Sequence, residues 1–412
     1  MQPVTVFKVA KTITCHCWNK DRTRFELIEL VNLVEIALAT RNSNDILVYE
    51  TGKSSKFEDW KLIHTLIGHD LPVTALDWDP NYNRILSCSE DCNAYVWNYE
   101  NNKWIPTLVV LKIKRAALCC KWSPNGKAFA VGSSEKKLRI CTFNADQNLW
   151  VHPSGLHVKQ EREEEPEAAD GTPTVSNKTR GSIFCVCWDR TGQLLCRGSL
   201  DGSMNIVSTY YDPSEPIRDC PFDISTKELF GFVFGDKCGI VEDIAVNPKN
   251  DIIAYTDRNS DTHFLEFKGH IMTKQTVHCP TLPFTSLLFI TDRIVAAGGF
   301  DNNLHILAKK SDVWEYVGIA DTSSPSSSSS VSTSFQERIR MLQSNANVSS
   351  VRTVNSRTAT GSTMNGCHKN IIVELQMKTW DGSMCTEISS CGLDGRLVIW
   401  NIKMILTKMS LL

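Results

Sequence analysis

Residues 68–98 read GHDLPVTALDWDPNYNRILSCSEDCNAYVWN. Val73 to Trp78 is an alternating run that ends in an indole, the period-two signature of a half-buried strand. Asp79-Pro80-Asn81 then makes a turn, because Pro presets φ and the short polar side chains bond back to the main chain. A second apolar strand, Ile85 to Cys88, leads through Glu90-Asp91-Cys92 into a third, Ala94 to Trp97. Three short strands cannot bury both of their faces alone, so the segment needs neighbours of its own kind.

Those neighbours are in the chain. First strands recur at Ile13–Trp18, Ala117–Trp122 and Ile183–Trp188, with weaker copies at Val241–Val246, Phe284–Ile290 and Ile371–Met377. Third strands recur at Ile46–Tyr49, Leu138–Cys141, Met204–Val207, His263–Leu265, Leu304–Leu307 and Leu397–Trp400. Each series therefore has seven members. Ser87, Asp91 and Trp97 share their mutual spacing with Ser390, Asp394 and Trp400, and His69 and His368 stand at equivalent distances before the next first-strand end. An Asp in a tight turn accepts from a His ring, which reaches a Ser hydroxyl, which reaches an indole N–H; each link satisfies a polar group that burial would orphan. This pattern resembles the WD-repeat β-propeller, so the expected fold is all-β, a seven-bladed propeller over 1–412. Trp97-Asn98 and Trp400-Asn401 carry Asn for the usual Asp, and blade three has Glu135-Lys136 at the turn.

First-strand ends at 18, 78, 122, 188, 246, 289 and 377 leave more residues than blades of about 40–45 can use. One excess, 160–180, holds the acidic run 161–167, too polar to bury. The largest, 321–366, opens with a Ser-rich tether. Within it, Phe335, Ile339 and Leu342 fall on one face of a helix expected at about 334–343, and Ser334 with Glu337 forms a capping box. A helix this short is marginal in water and must bury that face against its own propeller or a partner. After Asn401, the tail 402–412 repeats Ile405, Met409 and Leu412 at helical spacing; part of it is expected as a strand closing the ring beside the N-terminal residues.

Ile105 to Ala117, Lys121-Trp122-Ser123-Pro124, Phe129 to Ser133 and Asp91 to Trp97 resemble the family of subunit 1 of the actin-related protein 2/3 complex. The insert helix resembles that family's protruding insert in position and charge order. The resemblance implies a non-enzymatic scaffold in an actin-nucleating assembly. Its implied partners are actin-related proteins and sister subunits, filamentous actin and nucleation-promoting factors, in the cytoplasm at the actin-rich cortex. It also implies that Phe335, Ile339 and Leu342 give the insert helix its apolar face towards the filament, and Arg338 and Arg340 its basic one. Lys112, Lys114 and Arg115 form a basic edge that is either solvated surface or a contact for an acidic peptide. Two departures from the family are the segment 27–35 and the acidic run 161–167, and both could remodel a subunit contact. The rival reading is a ubiquitin-ligase substrate receptor.

Composition bounds the alternatives. Lys+Arg 44 against Asp+Glu 46 leaves no nucleic-acid footprint, and no apolar run is long enough for a membrane span. Sixteen Cys in 412 residues suit a reducing compartment rather than a disulfide scaffold. No phosphate loop or nucleophile elbow is present. His69, Ser87 and Asp91 imitate a hydrolase triad, but their recurrence marks them as blade cement. Cys15-His16-Cys17 lacks a second pair at ligand spacing, so buried strand cysteines are expected, with no metal, cofactor or catalytic residue.

Overall fold

A computed structural model describes residues 4–19, 34–51, 56–152, 181–209, 231–234, 239–268, 271–320 and 367–412. The chain enters on β1 (Val4–Lys8) and then builds blade one from β2 (Cys15–Trp18), β3 (Val34–Ala39), β4 (Ile46–Thr51) and β5 (Lys61–Leu66). Blade two is β6 (Val73–Trp78), β7 (Arg84–Ser89), β8 (Ala94–Glu100) and β9 (Lys103–Val109). Blade three is β10 (Ala117–Trp122), β11 (Ala128–Ser133), β12 (Leu138–Asn144) and β13 (Leu149–Val151). Blade four is β14 (Ile183–Trp188), β15 (Leu194–Ser199), β16 (Met204–Ser208) and β17 (Gly231–Phe234). Blades five and six are β18 (Val241–Val246) to β19 (Ile252–Asp257), β20 (Asp261–Lys268) and β21 (Ile271–His278), then β22 (Phe284–Thr291) to β23 (Ile294–Gly299), β24 (Leu304–Lys310) and β25 (Val313–Ile319). Blade seven takes β26 (Ile372–Trp380), β27 (Cys385–Gly392) and β28 (Arg396–Asn401) and borrows β1 as its outer strand.

Seven four-stranded antiparallel sheets result, and the first strand of each touches the first strands of its two neighbours, β2 meeting β26 to close the ring. The core lies between blades. Trp78, Ile85 and Trp97 of blade two pack against Cys15, Ala37 and Val48 of blade one. In six blades the first strand carries a bulge after its first residue, as between Val73 and Ala75. A bulge adds local twist and turns the extra residue outward. Thr74 uses this freedom to donate from its hydroxyl to the Ala117 carbonyl of the next blade at 2.8 Å; Thr14, just before the unbulged β2, makes the corresponding bond to the Val73 carbonyl at 3.1 Å.

The expected closing strand in 402–412 is corrected. The tail forms α1 (Ile402–Lys408), with Ile402, Ile405 and Leu406 buried against blades six and seven. β1 already occupies the outer edge of the last sheet, from Val4 opposite Trp400 to Lys8 opposite Arg396, so no ladder is left for the tail to join. Asn401, the residue in the usual Asp position, caps α1 by accepting from the Met404 N–H at 3.0 Å. The turn between β27 and β28 docks β1: the Gly395 carbonyl accepts from the N–H groups of Val9 and Ala10. Gly395 has φ +68°, and a Cβ there would collide with the Ala10 carbonyl, so only glycine fits.

The insert helix at 334–343, the acidic segment at 160–180 and residues 27–33 of the blade-one insertion lie outside the described residues.

Candidate functional site

In blade two, His69 Nδ1 lies 2.7 Å from Asp91 and Nε2 lies 2.8 Å from Ser87 Oγ, which accepts from Trp97 Nε1 at 2.9 Å. Blade seven repeats the arrangement: His368 is 3.2 Å from Asp394 and 2.7 Å from Ser390, whose hydroxyl accepts from Trp400 at 2.8 Å. Ser87 and Ser390 are fully buried, so neither hydroxyl reaches solvent as a nucleophile would. Burial outweighs the pull of Asp91 and holds the His69 ring below its usual pKa. A neutral ring donates to Asp91 through Nδ1 and accepts from Ser87 through Nε2. Burial works against the Asp394 carboxylate, but His368 and the Lys369 and Arg396 N–H groups win and hold it down at about 2. Gly68 precedes His69 because a Cβ there would stand 2.9 Å from the Trp97 ring.

Sequence spacing found these two networks and missed the rest. In blade three, Glu135 accepts from the Lys114 N–H at 2.6 Å, as Asp91 does from Asp70, while Ile113, Val131 and Cys141 fill an apolar cluster. Exchanging a whole hydrogen-bonded set for apolar groups leaves nothing unsatisfied. Blades five and six take their histidines from the third strand: His263 lies 3.4 Å from Asp257 and 2.9 Å from Thr276, and His305 lies 3.0 Å from the Tyr316 hydroxyl. At the junction of blades one and seven, His16 Nε2 is 2.7 Å from Ser389 Oγ, which also accepts from Trp18 at 2.7 Å.

The first strands also carry charges into the middle of the ring, a feature that only the closed ring reveals. Asp77 accepts from the Trp122 N–H at 2.8 Å, Asp243 from the Leu287 N–H at 2.8 Å, and Glu374 from the His16 N–H at 3.0 Å, each stitching one blade to the next. Lys121 of blade three reaches across, 3.7 Å from Asp77 and 3.8 Å from Glu374 of blade seven. Burial alone would lower the Lys121 ammonium, but Asp77 and Glu374 raise it well above its usual range. Burial raises Asp243 from 3.8 to about 6 despite four stabilising contacts. Its folded pKa therefore exceeds the unfolded one, so the folded state binds the extra proton between pH 4 and 6. Stability from this group is fully present at low pH and is lost as pH rises through 6. The difference between wild type and Asp243→Asn in unfolding free energy should then change by roughly 3 kcal/mol across that window. Chemical denaturation at a series of pH values checks it; parallel profiles would remove the assignment.

The basic edge is an exposed loop between β9 and β10. Lys112, Lys114 and Arg115 all face solvent, Lys112 at φ 53°, while Leu111 and Ile113 anchor the loop beneath. Val110, 60% exposed, adjoins them. Phe335, Arg338, Ile339, Arg340 and Leu342 lie outside the described residues. No helix among the described residues is long and apolar enough to cross a membrane.

The family described as "WD domain, G-beta repeat" matches residues 60–98 and 173–208. The chain is 28% identical over 416 residues to actin-related protein 2/3 complex subunit 1A of Arabidopsis thaliana, covering 98% of this chain and 97% of that protein. It is 28% identical to subunit 1 of Saccharomyces cerevisiae, over 97% of both chains. Against subunit 1B-A of Xenopus laevis it is 31% identical over 396 residues, covering 95% of this chain and 94% of that one. With seven WD-type blades and matches that run nearly end to end, the chain belongs to the actin-related protein 2/3 complex subunit 1 family.

Proposed function

We propose that this chain is a non-enzymatic scaffold subunit of an actin-related protein 2/3 complex, at the actin-rich cortex, supporting nucleation of branched filaments. The observation that carries the reading is the near-complete span of its matches to proteins of that name, which includes the serine-rich segment as well as the blades. In this reading the propeller is a rigid platform that packs against the actin-related proteins and sister subunits. The segment 334–343, expected from its spacing to be a helix with Phe335, Ile339 and Leu342 apolar and Arg338 and Arg340 basic, supplies a contact to the mother filament. Filament surfaces are acidic, so the arginines steer the encounter as well as hold it. Lys112, Lys114 and Arg115 offer an exposed positive edge for the acidic tail of a nucleation-promoting factor.

Tagged chain purified from its own cells should bring down two actin-related proteins and small helical partners in equal ratio. Recovery with ubiquitin-ligase adaptors instead would favour the substrate-receptor reading. Exchanging Phe335, Ile339 and Leu342 together for Ala should cut branch density at least tenfold in a microscopy assay, at an unchanged melting temperature. Burying these three side chains contributes on the order of 1.5–3 kcal/mol each before ordering costs. Unaltered branching would sink the filament assignment.

A further inference from the structure

Where blade seven meets blade one, a cross-strand pair of blade seven converges with a residue at least 358 positions away in sequence. His16 of β2, Glu374 of β26 and Cys391 of β27 place one donor atom each within 4.8 Å of one another. We propose that these three side chains form a zinc site, with His16 Nδ1, Glu374 Oε2 and Cys391 Sγ as ligands.

Four observations carry this. First, His16 is completely buried, and the nearest partner of its Nδ1 is Glu374 Oε2, at a long 3.5 Å. A buried ring nitrogen turned on a carboxylate needs a proton or a cation between them. Second, the outer contacts are those of a held ligand set. His16 Nε2 lies 2.7 Å from Ser389 Oγ, so donation from Nε2–H leaves Nδ1 with a free lone pair. Gln376 donates to Glu374 Oε1 at 2.6 Å and Lys121 lies 3.8 Å from the same atom, leaving Oε2 turned to His16. Third, the charges balance: carboxylate, thiolate and a divalent cation sum to zero, while Lys121 stays paired with Asp77. Fourth, the Glu374 side chain is 20% exposed and Lys121 34%, which opens a path from the middle of the ring.

An N, O, S donor set suits zinc, whose bonds of about 2.0–2.3 Å require the donors to close by about an ångström. Binding forms the S–Zn bond and releases the Cys391 thiol proton to solvent. A fourth position is left for water.

The test is cobalt(II) as a spectroscopic probe for zinc, titrated into the full chain after dialysis against chelator. The expected result is a thiolate-to-cobalt charge-transfer band that saturates near one equivalent and is bleached by zinc. Cys391→Ser should abolish the band, and Glu374→Gln, which keeps the shape but gives up the charge and one of the two acceptor oxygens, should weaken cobalt affinity at least tenfold. A wild-type chain without the band overturns the site whether or not either variant folds. A band that survives unchanged in folded Cys391→Ser overturns it as well, because the cobalt then sits on another of the cysteines.

Discussion

Replacing Trp400 by Ala is expected to lower the unfolding free energy by about 3–5 kcal/mol, the usual cost of emptying a tryptophan site in a packed core. The ring is completely buried, in one cluster with Ile388 of its own blade, Ile306 of blade six, and Ile402, Ile405 and Leu406 of α1. Its loss would open a cavity at the junction that holds the tail helix. The indole N–H matters less. Trp400→Phe keeps most of the volume and leaves Ser390 bonded to His368, so about 1 kcal/mol is expected from that change. Thermal melts of the two variants separate the contributions. A Trp400→Ala chain that melts within a degree or two of wild type would mean that the tail helix, not the indole, organises this cluster.

Deleting residues 1–9 should have a comparable or larger effect, with a different signature. β1 pairs with β28 through five residues, and Phe7 is buried with its ring 4.8 Å from that of Trp60 in blade one. Lys8 also bonds the Asp394 carbonyl, tying the strand to the turn that holds the His368 network. Without β1, β28 becomes an unpaired edge able to recruit another chain. Burial of Phe7 alone contributes about 2–3 kcal/mol. The truncated chain should therefore melt on the order of 10 °C lower and self-associate in light scattering. A peptide of residues 1–12 added in trans should restore a monomer. Wild-type melting and a monodisperse truncated chain would show that α1, not β1, closes the ring.

Much of this was legible in the residues. A strand reports its face by alternation, and turns report themselves by Pro, Asn, Asp and Gly, so seven repeats and most first-strand ends could be counted from the chain alone. His69, Ser87, Asp91 and Trp97 were readable because their spacing recurs at His368, Ser390, Asp394 and Trp400. Where a blade solves the same burial problem differently, that signal disappears. Ile113 in blade three needs no partner, and His263 and His305 come from another strand, so neither pattern repeats at the expected offset.

The tail was misread for a related reason. Its helical spacing was visible, but its fate depended on whether the last sheet still had a free edge, and β1 had taken it. Local pattern thus determined the blades, their number and the buried networks of blades two and seven, because those rest on spacings within one repeat. Ring closure decided the rest: which strand completes blade seven, how Lys121 comes to face Glu374 from three blades away around the ring, and how His16 meets Cys391. These pairings cross hundreds of residues, and no periodicity encodes them; they exist only once seven twisted sheets have closed and buried their charges at a common centre.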